Sequence, residues 1–324
     1  MKKFIQLFKK VGGGEILRQY RQGHVLLFSF LITVLLGFSK KSLEIVRLAV
    51  DNRRLSKLRK RYKAYIANYV KTHQDVNPRT RSNKIWFLWL QGMENAPELV
   101  RGCYRSLQRN ISDREIVLLT EYNYREFVTF PDYIQQKIDL GEITKTHMSD
   151  LLRLELLNSY GGTWIDATVY CSGNNIPDYM LDSDLFLFQS LKPGLDGKST
   201  CISSWFITAS ANHPILLLTQ SLLYNYWKNN TRMLDYFLFH DFFQLAIEAY
   251  SEEWNKIVPF SNSVPHILLL RLFDIYEEKI WNALRTMVPF HKLTYKFEKN
   301  MLKERNTYYD VIFEDEEMEY KGRL

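Results

Sequence analysis

The chain has 324 residues, of which 46% are hydrophobic, 15% aromatic and 24% charged, a balance that excludes a mainly disordered, collagenous or multi-span membrane protein. That length supplies one large α/β domain with appendages, or two modest domains. Net charge is +7, but residues 1–84 carry 20 Lys/Arg against 4 Asp/Glu, a net of +16, and the remainder carries −9, so a basic head precedes a mildly acidic body.

In the head, Val25–Phe38 is an uncharged run of 14 residues flanked by Arg18 and Arg21 on one side and Lys40 and Lys41 on the other. As a helix it would cover about 21 Å at about 1.5 Å per residue, short of the roughly 30 Å hydrocarbon core of a bilayer. No small-x-small cleavage site follows it, which argues against a secretory signal. Beyond it, Leu43, Val46, Val50, Leu55, Leu58, Tyr62, Tyr65 and Tyr69 recur at three- and four-residue steps among Arg47, Arg53, Arg54, Lys57, Arg59, Lys60, Arg61 and Lys63. The pattern predicts a basic amphipathic helix able to lie on an anionic leaflet, each cation near the surface contributing about 1 kcal/mol. Two alternatives stand beside it: a helix packed on the body with its charge solvated, and nucleic-acid contact, which the acidic body argues against. The expected organisation is therefore a basic helical, membrane-associating extension at 1–80 and a working domain at 81–324. The expected partner of residues 1–70 is an anionic membrane surface, at the cytoplasmic face of the plasma membrane. The three cysteines (Cys103, Cys171, Cys201) are widely spaced, without a CxxC pair, and read as thiols in a reducing compartment.

In the body, Ile85–Leu90 is a short apolar run ending at Gln91-Gly92, a buried-strand pattern, and a helical pattern follows through Leu99, Val100, Cys103 and Leu107 to Asn110. Glu115–Thr120 predicts a second buried strand and Tyr122–Val128 a short helix. This alternation argues for a parallel sheet covered by helices, with ligands at the strands' carboxyl ends, around Trp89, Leu90, Gln91 and Thr120. Thr146–Tyr160 is the clearest helix, with Thr146 as the expected N-cap and Gly161 as a left-handed stop. A strand at Thr163–Tyr170 follows, then strands at Asp184–Phe188 and Ser203–Thr208, two helices between His213 and Tyr250, and one from Pro265 to Met287.

The helix–Gly-Gly–strand unit carries the chemistry. A helix from His147 to Tyr160 is about 21 Å long, and a strand from Gly162 to Thr168 returns over about 20 Å. Asp150 at the helix start should therefore lie near Asp166 and Thr168 at the strand end, with Arg153 on the same helix face as Asp150. Carboxylates there suit Mg²⁺ or Mn²⁺, and a guanidinium suits a phosphate. The plainer alternative is a helix-start acid paired locally with Arg153, and an ordinary strand-end carboxylate at 166. Ser203 and Ser204, on a later strand, could reach a bound sugar. His240 and His266 are candidates for leaving-group or acceptor contacts, with buried structural histidines as the alternative.

The string Ser149-Asp150-x-x-Arg153 followed by Tyr160-Gly161-Gly162-x-Trp164-x-Asp166 resembles the signature of the glycosyltransferase family 32 group. The capsular polysaccharide synthesis branch fits best, through Trp89-x-Gln91-Gly92, Glu94-Asn95-Ala96-Pro97, the Ile165-Asp166-Ala167-Thr168 string and Tyr236-Phe237-x-Phe239-His240. The likeness runs from about Lys84 to about His266. It implies a GT-A fold: a Rossmann-like, mixed but mostly parallel sheet flanked by helices. It also implies a retaining glycosyltransferase that moves a sugar from a UDP-sugar to a glycan or lipid-linked glycan, a cell-surface polysaccharide precursor. By the same likeness Trp89 stacks on or flanks the uracil; the expected donor-binding residues are Trp89, Gln91, Asp150, Arg153, Gly162 and Ser204, and the expected catalytic residues Asp150, Arg153, Asp166 and His240. Asp166 matches the first aspartate of a D-x-D motif, but Thr168 stands in place of the second. The implied site for Mn²⁺ or Mg²⁺ is then Asp166, Thr168 and a residue near Ser261-Asn262, with Asn262 as third ligand, or else cationic side chains share the metal's role. Two rivals remain: a non-catalytic scaffold of this fold, and a lipid-surface binding module.

Overall fold

Ile85, Trp86 and Phe87 are all fully buried, and they form the middle of the sheet. The computed structural model describes residues 13–73, 78–191 and 202–314; Cys201 lies outside them, while Cys103 and Cys171 are buried thiols. The strands are β1 (Lys84–Leu88), β2 (Glu115–Leu119), β3 (Gly162–Ile165), β4 (Val169–Cys171), β5 (Leu185–Gln189), β6 (Ile202–Ala209) and β7 (Phe290–Lys292). The main sheet has the order β2-β1-β3-β6-β5, and β4 pairs with β7 in a second, small sheet. Strand β1 is parallel to β2 and β3, and β6 is antiparallel to both β3 and β5. Four strands thus share one direction and β6 opposes them, the mixed, mostly parallel arrangement expected from the sequence.

The principal helices are α1 (Gly13–Gln22), α2 (Leu26–Leu36), α3 (Lys40–Thr72), α4 (Glu98–Asn110), α5 (Asp132–Asp139), α6 (Lys145–Tyr160), α7 (Pro214–Lys228), α8 (Leu238–Ala249) and α9 (Glu278–Met287). Alternation along β1 divides the interior. Trp86 faces the core shared with α6, α7 and α8, while Ile85 and Phe87 face the core on the sheet's other side. Helix α6 is buried nearly all round, from Leu151 through Leu157, so its apolar residues do not form a single stripe. Its N-cap is Thr144, whose hydroxyl accepts from the His147 amide at 3.2 Å, two residues earlier than expected. The helix stops at Gly161 with φ +71°, and Gly162 follows at φ +95°. A Cβ on Gly162 would lie 2.3 Å from the Lys84 carbonyl oxygen, so no side chain fits where β3 meets β1.

Two expected elements divide. The strand foreseen at Thr163–Tyr170 breaks after Ile165, because the Val169 amide turns back to the Asp166 carbonyl at 3.0 Å and the chain leaves the main sheet for β7. The helix foreseen from Pro265 to Met287 is a short helix at Ile267–Arg271 and then α9. Between them the backbone is claimed by a distant segment: Tyr276 N donates to Asn306 O at 2.8 Å, and Ile275 bridges to Thr307.

Helix α3 lies with its stripe against the body. Leu55, Leu58 and Tyr62 belong to the same core as Trp86 and α8, with Tyr62 edge-on to Phe242 at 5.0 Å. Burial at that level stabilises by about 1.5–3 kcal/mol per large side chain. The cations Arg53, Arg59, Lys60 and Lys63 point outward, whereas Arg54 is buried. The exposed apolar face lies instead on α2, where Leu27, Phe30 and Leu35 are 72%, 63% and 82% exposed. Among the described residues no helix is long and apolar enough to cross a membrane.

Candidate active site

A cavity of about 740 Å³ opens at the carboxyl ends of β1 and β3, a size suited to a small-molecule ligand. The chain leaving β1 contributes Trp89 and Gln91, the first turns of α6 contribute Lys145, Ser149, Asp150 and Arg153, and the turn after β3 contributes Asp166 and Thr168. Ser203 and Ser204 on β6, Tyr236 just before α8, His240 in its first turn, and Lys292 and Lys296 complete the charged and polar wall. Its lining has four Lys/Arg (Lys145, Arg153, Lys292, Lys296) and two carboxylates (Asp150, Asp166), a cationic balance.

The expected meeting of helix start and strand end is present, and Arg153 joins them. Its Nη2 lies 3.3 Å from Asp150 Oδ1 and 3.6 Å from Asp166 Oδ1, and Nη1 donates to the Ser204 carbonyl. Its guanidinium also lies over Trp164, 4.9 Å from the ring centroid, and 5.7 Å from that of Phe239. Asp150 is oriented from behind. Trp227 Nε1 donates to His147 Nε2 at 3.0 Å, and an indole N–H can only donate, so the His147 proton sits on Nδ1, 3.2 Å from Asp150 Oδ2. His147 does have a local signal in the sequence, its place three residues before Asp150 on one helix face.

Lys292 has no such signal. Its Nζ donates to Asp166 Oδ2 at 3.1 Å and to Thr168 Oγ1 at 2.7 Å, from 126 and 124 residues away. Burial pushes the Asp166 carboxyl up, but Lys292, Arg153 and the Trp164 indole, which donates to Oδ1 at 2.9 Å, outweigh it and hold it below the usual carboxylate range.

These residues do not fit a divalent cation. Asp166 already faces two cations, Thr168 offers a neutral oxygen that accepts from Lys292, and Asn262 Oδ1 accepts from Trp205 Nε1 at 2.9 Å. Among the described residues no group of three or more His, Cys, Asp or Glu could hold a metal ion. Mg²⁺ and Mn²⁺ are usually held by one or two carboxylates together with waters and substrate phosphates, and here the strand-end carboxylate that would anchor the ion already lies between Arg153 and Lys292.

The remaining candidates divide. Trp89 lines the cavity edge-on to Tyr295 at 5.6 Å, and its buried Nε1 has no hydrogen-bond partner among the described residues. Gln91 is exposed at the rim. Ser203 Oγ is buried without a described partner, and Ser204 contributes its carbonyl to Arg153. His240 lines the cavity, and burial, with Asp150 opposing it, pulls its pKa down to about 4. His266 bonds through Nδ1 to the Asn262 carbonyl at 2.7 Å and presents its ring edge to Trp205. Gly162 is the one expected donor-binding residue that does not reach the cavity; it sits at the far end of β3 from Asp166, where backbone crowding accounts for it.

A family model described as "Capsular polysaccharide synthesis protein" matches residues 37–312. The likeness thus takes in all of α3 and passes beyond β7, further in both directions than the 84–266 stretch legible from motifs. Among curated proteins, "O-glycosyltransferase braB" of Annulohypoxylon truncatum is 31% identical over 103 residues, 29% of this chain, and the chain spans 24% of that relative's length. Among solved structures, "PaToxG Glycosyltransferase" is 16% identical with a TM-score of 0.35, covering 83% of this chain and 98% of that one.

Proposed function

The chain belongs to the capsular polysaccharide synthesis protein family, a glycosyltransferase in type, and from that premise we propose that it moves a sugar, with retention, from a UDP-sugar to a membrane-bound polysaccharide precursor. The observation that carries the donor assignment is Arg153 spanning Asp150 and Asp166 in the wall of a cationic cavity. A nucleotide-sugar loses a diphosphate through an oxocarbenium-like transition state, and a fixed guanidinium aimed at the leaving oxygen stabilises the charge that develops there. Trp89, with its ring beside Tyr295 and an indole N–H that has no partner among the described residues, suits a planar base. Asp150, held by His147, suits the donor's hydroxyls, and His240, kept neutral by burial, suits a contact to the leaving group or acceptor. Both cavity carboxylates are engaged by Arg153, which favours attack by the acceptor on the face from which the diphosphate departs, the route that retains configuration without a carboxylate nucleophile.

What supports a membrane-bound acceptor is that α2 presents Leu27, Phe30 and Leu35 to solvent beside the outward cations of α3. An apolar face of that kind suits burial in the headgroup region of an anionic cytoplasmic leaflet. Holding the enzyme there raises the effective concentration of a lipid-linked acceptor.

The test is a panel of UDP- and GDP-sugars, scored by nucleotide release and product anomer. One UDP-sugar should be consumed by the full chain and not by Asp166→Ala. Failure of every nucleotide-sugar to be turned over or bound would refute the assignment.

A further inference from the structure

Strand β7 pairs with β4 so that Lys292 lies opposite Val169, one residue past Thr168. The pairing is held from both ends: Phe290 is fully buried in the core beneath the sheet, and the Leu293 amide donates to the Thr168 carbonyl at 2.8 Å. The ammonium therefore stands between Asp166 and Thr168, the first and third positions of the D-x-D-like string. We propose that Lys292 takes the place of a divalent cation, so that Lys292 and Arg153 together neutralise the donor's diphosphate and sugar transfer requires no metal. The assignment rests on the glycosyltransferase function proposed above and deepens it.

The chemistry of the two partners supports it. An ammonium has three N–H donors, of which Asp166 and Thr168 engage two, leaving one for a phosphate oxygen. Thr168 in place of a second aspartate removes one negative charge, which is the change expected where a single positive charge replaces a double one. A divalent ion bound to Asp166 would have to displace Lys292 or lie against it, with like charges repelling in a partly desolvated wall. In the transfer step the C1–O bond to the diphosphate breaks and its electron pair passes to the phosphate oxygen, where Lys292 and Arg153 stabilise it. The acceptor hydroxyl oxygen forms the new bond to C1, and its proton passes to the departing diphosphate.

The experiment is calorimetric titration of UDP into the full chain, in EDTA and again in MnCl₂. Wild-type affinity should be the same in both buffers, within about twofold. Lys292→Gln should bind UDP at least about tenfold more weakly, since a charge-assisted hydrogen bond is lost, and Mn²⁺ should not restore it. Lys292→Arg, which keeps the charge, should retain most of the affinity. A wild-type affinity that collapses in EDTA overturns the role of Lys292, as does a folded Lys292→Gln that binds like wild type; in both cases the glycosyltransferase assignment survives. Absence of UDP binding in either buffer removes both. The buffer comparison needs no variant, so it decides the matter even if Lys292→Gln misfolds.

Discussion

Arg54 Nε on α3 lies 3.1 Å from Asp241 Oδ2 in the first turn of α8, wholly inside the protein. The same guanidinium reaches Asp235 at 2.9 Å and Asp51 at 3.1 Å through Nη1. Asp235 precedes Tyr236 and Phe237, and Asp241 follows His240, all three of which line the cavity. One buried cation thus ties the long basic helix to a wall of the candidate active site.

Arg54→Met should therefore be costly. It leaves carboxylates facing one another without a counter-charge, and breaking a buried pair from one side typically costs about 3–5 kcal/mol. Urea unfolding should show a loss of that size. Where the variant still folds, donor affinity should fall as well, because the Tyr236–His240 wall loses its anchor. A loss under about 1 kcal/mol would mean that the network contributes little.

Within the cavity, Arg153→Lys should lower kcat far more than it weakens donor binding. A lysine keeps one positive charge but cannot span two carboxylates and the Ser204 carbonyl. A fall in kcat of about 10²–10³-fold is expected for loss of a preorganised electrostatic group, with melting temperature close to wild type. A raised KM and an equally lowered kcat/KM, with kcat intact, would assign Arg153 to uniform binding, equal in the ground and transition states.

Acid should unfold the protein earlier than its carboxylates alone would. Burial pulls His213 and His240 down to about 4 and His291 to about 3. Each has an Nδ1 with no described partner. A group whose folded pKa is depressed contributes stability above its unfolded pKa of 6.5, and loses it as pH falls through the folded value. Asp241, whose carboxyl is pushed up to about 7 by burial, titrates with the opposite sign over the same range, so three histidines against one acid give a net slope of up to about 3 kcal/mol per pH unit between about pH 6 and pH 4. Urea midpoints measured from pH 8 to pH 4 should hold level above 7 and then drop steeply; a level midpoint down to pH 5 would contradict this.

At the membrane, Leu27→Asp combined with Leu35→Asp should abolish flotation with anionic vesicles while leaving the urea midpoint unchanged. Both side chains face solvent, and each buried leucine contributes about 1.5–3 kcal/mol to partitioning. Binding should also weaken with salt, through the outward cations of α3. Undiminished flotation would move the contact to another surface.

The turn from helix to strand was legible because its causes are local: an apolar run long enough only for a helix, then two glycines where backbone crowding and positive φ leave no choice. Other features had causes at a distance. The stripe of α3 looks the same to a bilayer as to a protein core, and only Arg54 inside it, three residues after Asp51, hinted that its partner was protein. The break after Ile165 follows from a hydrogen bond within a turn that alternation does not reveal. Lys292 lies in an ordinary short strand, and its importance comes wholly from side chains more than a hundred residues earlier.

The docking of α3 on the body bears on how any shortened chain would behave. Leu55, Leu58 and Tyr62 cover Phe242 and its neighbours, so cutting after the basic helix would strip a lid from the interior and leave a sticky hydrophobic trough with uncompensated acids at its edge. Such a fragment would precipitate or cling to vesicles for reasons unrelated to the attachment proposed for α2, so lipid affinity is better probed by changing side chains in the intact polypeptide.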